Sequence, residues 1–101
     1  MKLLLSTVLM FLMLFQSDGK FDKNTCTCKG KKLQGKVKVV TAFPDFKVKV
    51  VDAFPDLKVR IRSRSFDVNN CGDWVFVESF PDFTIQYVDA FPDFTIKMTS
   101  N

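Results

Sequence analysis

Phe43-Pro44-Asp45-Phe46-Lys47-Val48-Lys49-Val50-Val51-Asp52-Ala53-Phe54-Pro55-Asp56-Leu57-Lys58-Val59-Arg60-Ile61 contains one unit written twice. The phrase Phe-Pro-Asp begins at Phe43 and again 11 residues later at Phe54; it returns at Phe80 and, after another 11, at Phe91. Each later copy lies 37 residues beyond its counterpart, so the chain is a duplicated tandem repeat. Aligning Val39 to Ile61 with Phe76 to Met98 gives 11 identities in 23 positions.

Between the phrases the apolar residues alternate. Val37 and Val39 stand against Lys36 and Lys38, then Phe46, Val48 and Val50 against Lys47 and Lys49, then Leu57, Val59 and Ile61 against Lys58, Arg60 and Arg62. The later half repeats this with Phe83, Ile85 and Tyr87, then Phe94, Ile96 and Met98. A period of two with β-branched residues predicts half-buried strands, and no window beyond residue 20 has a helical period. The expected fold is all-β: short antiparallel strands of five or six residues, built from a duplicated pair of 11-residue strand-turn units.

Phe-Pro-Asp itself has the chemistry of a turn. Proline presets φ and cannot donate to a ladder, and aspartate bonds nearby amides. On this reading Phe43, Phe54, Phe80 and Phe91 are held extended by the following proline and anchor the core. Asp45, Asp56, Asp82 and Asp93 satisfy their own turns, while Asp52 and Asp89 start turns or pair with Lys and Arg. Whether the Phe-Pro bonds are cis is left open.

Outward from the repeat, Lys2 precedes an apolar run broken only by Ser6 and Thr7 and ending at Phe15, with small residues at Ser17 and Gly19. This pattern predicts a secretory signal peptide over 1–19, since about 13 apolar residues are too few to span a bilayer. The product is expected in the periplasm or outside the cell, with no membrane span in the mature chain. Residues 20–35 read as an irregular arm containing two cysteines, and residues 36–101 as a single duplicated β domain. A domain of this size gains much from a covalent staple. Cys26, Cys28 and Cys71 are the candidates. A bridge from Cys26 to Cys28 would close a tiny ring, so Cys71 is expected to pair with one of the two; the sequence does not choose which.

Charge is unevenly spread along the chain. Lys20 to Arg64 holds 13 Lys or Arg against four acids, a net of +9, whereas Ser65 to Asn101 holds one Lys against six acids, a net of −5. Two halves sharing one core with complementary surfaces account for this. The functional alternative is an anion-binding surface of Lys36, Lys38, Lys47, Lys49, Lys58, Arg60 and Arg62, facing envelope polymer or lipid headgroups. Nucleic acid is a poor partner for an exported chain with one Tyr, one Trp and no stacking motif. Alternate lysines also keep strand edges from pairing with other chains.

Catalytic chemistry finds little to work with. The sequence has no His, which removes Ser-His-Asp and Cys-His nucleophiles in their usual forms and most zinc sites. The cysteines lack Cys-x-x-Cys spacing, and the repeated acids lack any calcium-loop spacing. No catalytic residue, metal or cofactor is therefore expected, and the function read from sequence is an exported, non-enzymatic structural or binding module. An electrostatic binder is the alternative, with an enzyme third.

The units resemble a known family. Val50-Val51-Asp52-Ala53-Phe54-Pro55-Asp56-Leu57-Lys58-Val59, then Cys71-Gly72-Asp73-Trp74-Val75-Phe76-Val77, then units ending Phe91-Pro92-Asp93-Phe94-Thr95-Ile96-Lys97 are similar to the bacterial septoil knot domain family. The resemblance covers about Lys36 to Met98. It implies a small, mainly β domain whose backbone is threaded into a deep 7(1) knot, and it brings no activity or site residues.

Overall fold

Alternation becomes strands where expected. The computed structural model describes residues 21–99, so the signal peptide expected over 1–19 lies outside the described residues. Three strands come from the first half: β4 (Gly35–Val39), β5 (Phe46–Val50) and β6 (Leu57–Ile61). Three come from the second: β7 (Asp73–Phe76), β8 (Phe83–Tyr87) and β9 (Phe94–Thr99). The arm carries more order than its composition suggests, with the two-residue strands β1 (Phe21–Asp22), β2 (Thr27–Cys28) and β3 (Lys31–Lys32) in an antiparallel sheet.

The six long strands close into a barrel in the order β4-β7-β6-β9-β5-β8. First-half and second-half strands therefore alternate all the way round. Every pairing in the barrel is parallel, which corrects the expected antiparallel arrangement. Alternation reports that one face is buried and says nothing of direction. Parallel neighbours ordinarily need a crossover of a dozen or more residues. Here consecutive strands of one half are not neighbours, and six residues suffice.

The register explains how. Val37 pairs with Phe83, Ile85 with Phe46, Val48 with Phe94, Ile96 with Leu57 and Trp74 with Gly35. Stepping two residues forward on each successive strand thus returns to the starting residue after one circuit. So large a stagger tilts the strands steeply against the barrel axis. The carboxyl end of one strand then lies only a short axial distance from the amino end of the next in the same half.

The same rule sorts the inward residues into three tiers. The lower tier is Gly35, Phe46, Leu57, Gly72, Phe83 and Phe94; the middle is Val37, Val48, Val59, Trp74, Ile85 and Ile96. Both tiers are buried, the middle one completely. Phe46 packs edge-on against Phe83 and Phe94, and Trp74 against Phe83. The upper tier is Val39, Val50, Ile61, Phe76, Tyr87 and Met98, and it is only partly buried.

Below the lower tier the arm closes the barrel. Leu33 is fully buried, its carbonyl accepts the Trp74 indole N–H at 3.1 Å, and Phe21 stacks on Phe94 at 5.6 Å. Cys26 forms the disulfide with Cys71, the Cα atoms 5.8 Å apart, which fixes the arm to the linker between halves. Cys28 is left free and buried. Gly72, at φ +85°, passes so close to the Lys58 carbonyl that a side chain there would collide with it.

Candidate functional site

The repeated phrase builds four arches, over residues 40–45, 51–56, 77–82 and 88–93. Each leaves a strand at the upper tier, passes over the outside of a strand from the other half, and joins the next strand at the lower tier. The crossed strand holds the arch at both feet. At the first foot, Val40, Val51, Val77 and Val88 donate backbone N–H bonds to Ile85, Ile96, Val37 and Val48 at 2.8–2.9 Å. At the second, the aspartates act.

Asp45 accepts from the Thr84 amide at 2.8 Å, Asp56 from Thr95 at 2.9 Å, Asp82 from Lys36 at 2.8 Å and Asp93 from Lys47 at 2.7 Å. All four carboxylates do bond amides, but the amides belong to the strand beneath and not to their own turns. The backbone N–H of the same aspartates donates to Thr84 Oγ1, Thr95 Oγ1, Lys36 O and Lys47 O. Under the first arch Gln86 also donates to the Thr41 carbonyl at 3.0 Å. Every strand amide so used would otherwise point at an unpaired gap in the ladder, and a carboxylate is a strong acceptor for it.

The phenylalanines of the phrase face the other way from the expectation. Phe43, Phe54, Phe80 and Phe91 are between 87% and 99% exposed, at φ of +53° to +55°. They neither anchor the core nor lie extended before proline. The core places go to the first residue of each following strand, Phe46, Leu57, Phe83 and Phe94, because that is where alternation turns inward. No cis peptide bond occurs among the described residues. A bulky residue at positive φ is sterically unfavourable, and no burial of its ring offsets the strain. Since the crossed strands β4, β8, β5 and β9 are successive around the barrel, the four rings project at one level, a belt over two thirds of the circumference.

A model of the 7(1) septoil knot domain matches residues 30–101. The chain belongs to the septoil knot domain family. No curated protein matches it. In this septoil knot domain the anion-binding candidates are dispersed: Lys36 and Lys38 lie on β4, Lys47 and Lys49 on β5, Lys58 and Arg60 on β6, and Arg62 just past it. A second-half strand separates each of these strands from the next. The charge asymmetry along the chain is therefore interleaved in space.

Among the described residues the ion pairs are Lys29–Asp93 at 3.4 Å and Arg60–Asp73 at 3.1 Å, the latter with a buried aspartate that also accepts from the Asn70 amide. Two surface clefts lie at the arm end, one lined by Lys31, Lys32, Gln34 and Asp82, the other by Lys23, Pro55, Asp56, Leu57, Lys58 and Cys71. Neither gathers a nucleophile with a base. Burial, with a smaller push from Asp93 and an opposing pull from Lys29, raises the Cys28 thiol above its ordinary value. It is thus held protonated and out of reach of solvent. The exposed Phe belt is the feature that sequence reasoning missed, and its only signal was a Phe-Pro step in which either direction fits the alternation.

Proposed function

We propose that this septoil knot domain is an exported, non-enzymatic binding module whose recognition elements are the four arches. The observation that carries the reading is the belt of Phe43, Phe54, Phe80 and Phe91, each solvent-exposed and each at positive φ. Glycine or asparagine would suit those φ values better, and a polar residue would suit the exposure. The arches differ two residues earlier, at Thr41, Asp52, Glu78 and Asp89, yet all carry the ring. A rigid aromatic held out on a well-bonded loop is the usual form of a binding anchor, because it loses little entropy on contact.

Export is supported by the leader-like sequence over 1–19 and by the Cys26–Cys71 disulfide, which an oxidising compartment preserves. The knotted course that the family description carries is supported by the interleaving of halves, each arch of one half riding over a strand of the other. A second reading, electrostatic attachment to anionic envelope polymer or a membrane surface, draws on Lys36, Lys38, Lys47, Lys49 and Lys58, whose side-chain ammonium groups have no carboxylate within 4.0 Å among the described residues. Against it, Asp52, Glu78 and Asp89 stand on the arches between those lysines.

The test is retention of the purified protein on isolated cell-envelope material at low and moderate salt. The Phe-belt reading expects retention at both, lost when all four phenylalanines are replaced by serine while the thermal unfolding midpoint stays or rises. Retention that survives those replacements overturns it. Retention that salt alone abolishes favours the lysine reading instead.

A further inference from the structure

One bond is missing from the pattern that the arches set. The residue after each lower-tier position, namely Lys36, Lys47, Lys58, Asp73, Thr84 or Thr95, stands at the foot of a strand. Four of these amides are closed by the carboxylates of Asp82, Asp93, Asp45 and Asp56, and that of Asp73 by the Asn70 carbonyl at 3.0 Å. The sixth belongs to Lys58. Further up β6, the Arg60 and Arg62 amides donate toward β7, to the carbonyls of Gly72 at 2.8 Å and Trp74 at 2.7 Å. Alternate residues of a strand bond to the same neighbour, so the Lys58 N–H points to that seam as well. The β6–β7 register begins only at Arg60, and no carbonyl or side chain among the described residues accepts the Lys58 amide.

The connection explains the gap. Each arch enters its strand through an aspartate one residue before the lower tier, whereas the linker enters β7 through Cys71, whose side chain is drawn into the disulfide with Cys26. Where the other feet have a carboxylate, this one has a cleft of about 310 Å³ lined by Lys23, Pro55, Asp56, Leu57, Lys58 and Cys71. We propose that this cleft is a carboxylate-binding site, in which an external carboxylate takes the place that aspartate holds at the four arch feet.

The Lys58 N–H is the aimed donor, and the ammonium groups of Lys23 and Lys58 supply charge. Neither ammonium has a carboxylate within 4.0 Å among the described residues. Asp56 is the one acidic residue lining the cleft, and its carboxylate already accepts the Thr95 amide at 2.9 Å. Two cations against one committed anion leave the cleft positive. A backbone N–H flanked by ammonium groups is a charge-assisted setting that a carboxylate satisfies, and the volume is at the small end of ligand pockets. The carboxylate can belong to a free small acid or to an acidic peptide lying along the foot as the arches do. The bond at Lys58 is the same in both. The site makes no use of the exposed phenylalanines, so it stands or falls apart from the belt.

Titration with sodium acetate, against sodium chloride at matched ionic strength, followed by amide NMR of the labelled protein, tests this. The expected result is a saturable downfield movement of the Lys58 amide proton with a millimolar midpoint, while the Lys36, Lys47, Thr84 and Thr95 amides, already closed, stay in place. Lys23→Ala and Lys58→Ala should each weaken binding about two- to fivefold, the worth of an exposed charge pair. A peptide with the sequence of residues 88–94 separates the two sources. Movement at lower concentration than acetate assigns the site to acidic peptides; movement no tighter, or none, assigns it to free small acids. A Lys58 amide that acetate leaves unmoved overturns the proposal. So does a shift that chloride reproduces, one that orthophosphate produces at lower concentration, or one that both lysine variants leave unchanged.

Discussion

At the residue scale, the two phenylalanines of each Phe-Pro-Asp-Phe stretch do opposite things. Phe91 stands in solvent at φ +55°, and Phe94, three residues on, is buried against Phe46 and Phe21. Replacing Phe94 or Phe46 by alanine should cost about 3–5 kcal/mol in urea unfolding, for lost burial and the cavity left behind. Replacing Phe54 or Phe91 should change stability by no more than about 0.5 kcal/mol, as for other exposed sites. Alternation located Phe94 correctly, since it heads a strand whose pattern runs on through Ile96 and Met98. It could not place Phe91, which lies outside any alternating run, and proline, which usually forces an extended neighbour, pointed the wrong way. Cys28 gives a second residue-scale expectation. Its thiol pKa is raised above 9.0 in the fold, so above about pH 9 the unfolded chain ionises where the folded one does not, and stability falls as pH rises. Urea midpoints taken from pH 7 upward should therefore decline less steeply for Cys28→Ala than for the natural chain.

At the element scale, the unit is an arch bonded to a foreign strand. The carboxylate of Asp93 and the amide of Lys47 are 46 residues apart in sequence and 2.7 Å apart in the fold. Asp93→Ala leaves that amide without its acceptor and releases Lys29 as well. A loss of about 1–3 kcal/mol is expected, larger than for removal of an exposed ion pair alone, and chemical denaturation of the variant measures it. The identity of the aspartate as a backbone acceptor was legible from its place after proline. Its partner was not, because local bonding and bonding across 46 residues leave the same mark in the sequence. Strand direction was hidden for the same kind of reason: side chains alternate whether neighbours run parallel or antiparallel, and a six-residue connection read as a turn until the steep stagger of the barrel was seen. The disulfide was narrowed to Cys71 and one of two partners by ring size, and only the arm's packing, with Cys28 turned inward and Cys26 toward the linker, separates them.

At the scale of the whole molecule, alternation of halves is what matters. Neither half has two neighbouring barrel strands of its own. A cut in the linker, between Ser63 and Asn70, should therefore leave two fragments that are unfolded apart by circular dichroism, even though each carries a complete set of repeats. If the first-half fragment folds alone, the interleaved account is wrong. Mixed, the fragments should regain strand signal slowly, since each must pass its arches over the other. The same interlock argues for slow unfolding of the intact chain, because most contacts join residues far apart in sequence.

The arches are bonded to the barrel at their feet, with one further bond, from Gln86 to the Thr41 carbonyl, under the first. Between the valine that begins each one and the aspartate that ends it, nothing in the strand register depends on how many residues intervene. The positions around Ala42, Ala53, Ser79 and Ala90 are thus four equivalent places where the chain can be lengthened without shifting a single ladder bond. A family built on this plan can vary its outline freely while keeping its framework, and a designer could mount four short peptides on one cylinder, evenly indexed and facing outward at a common height.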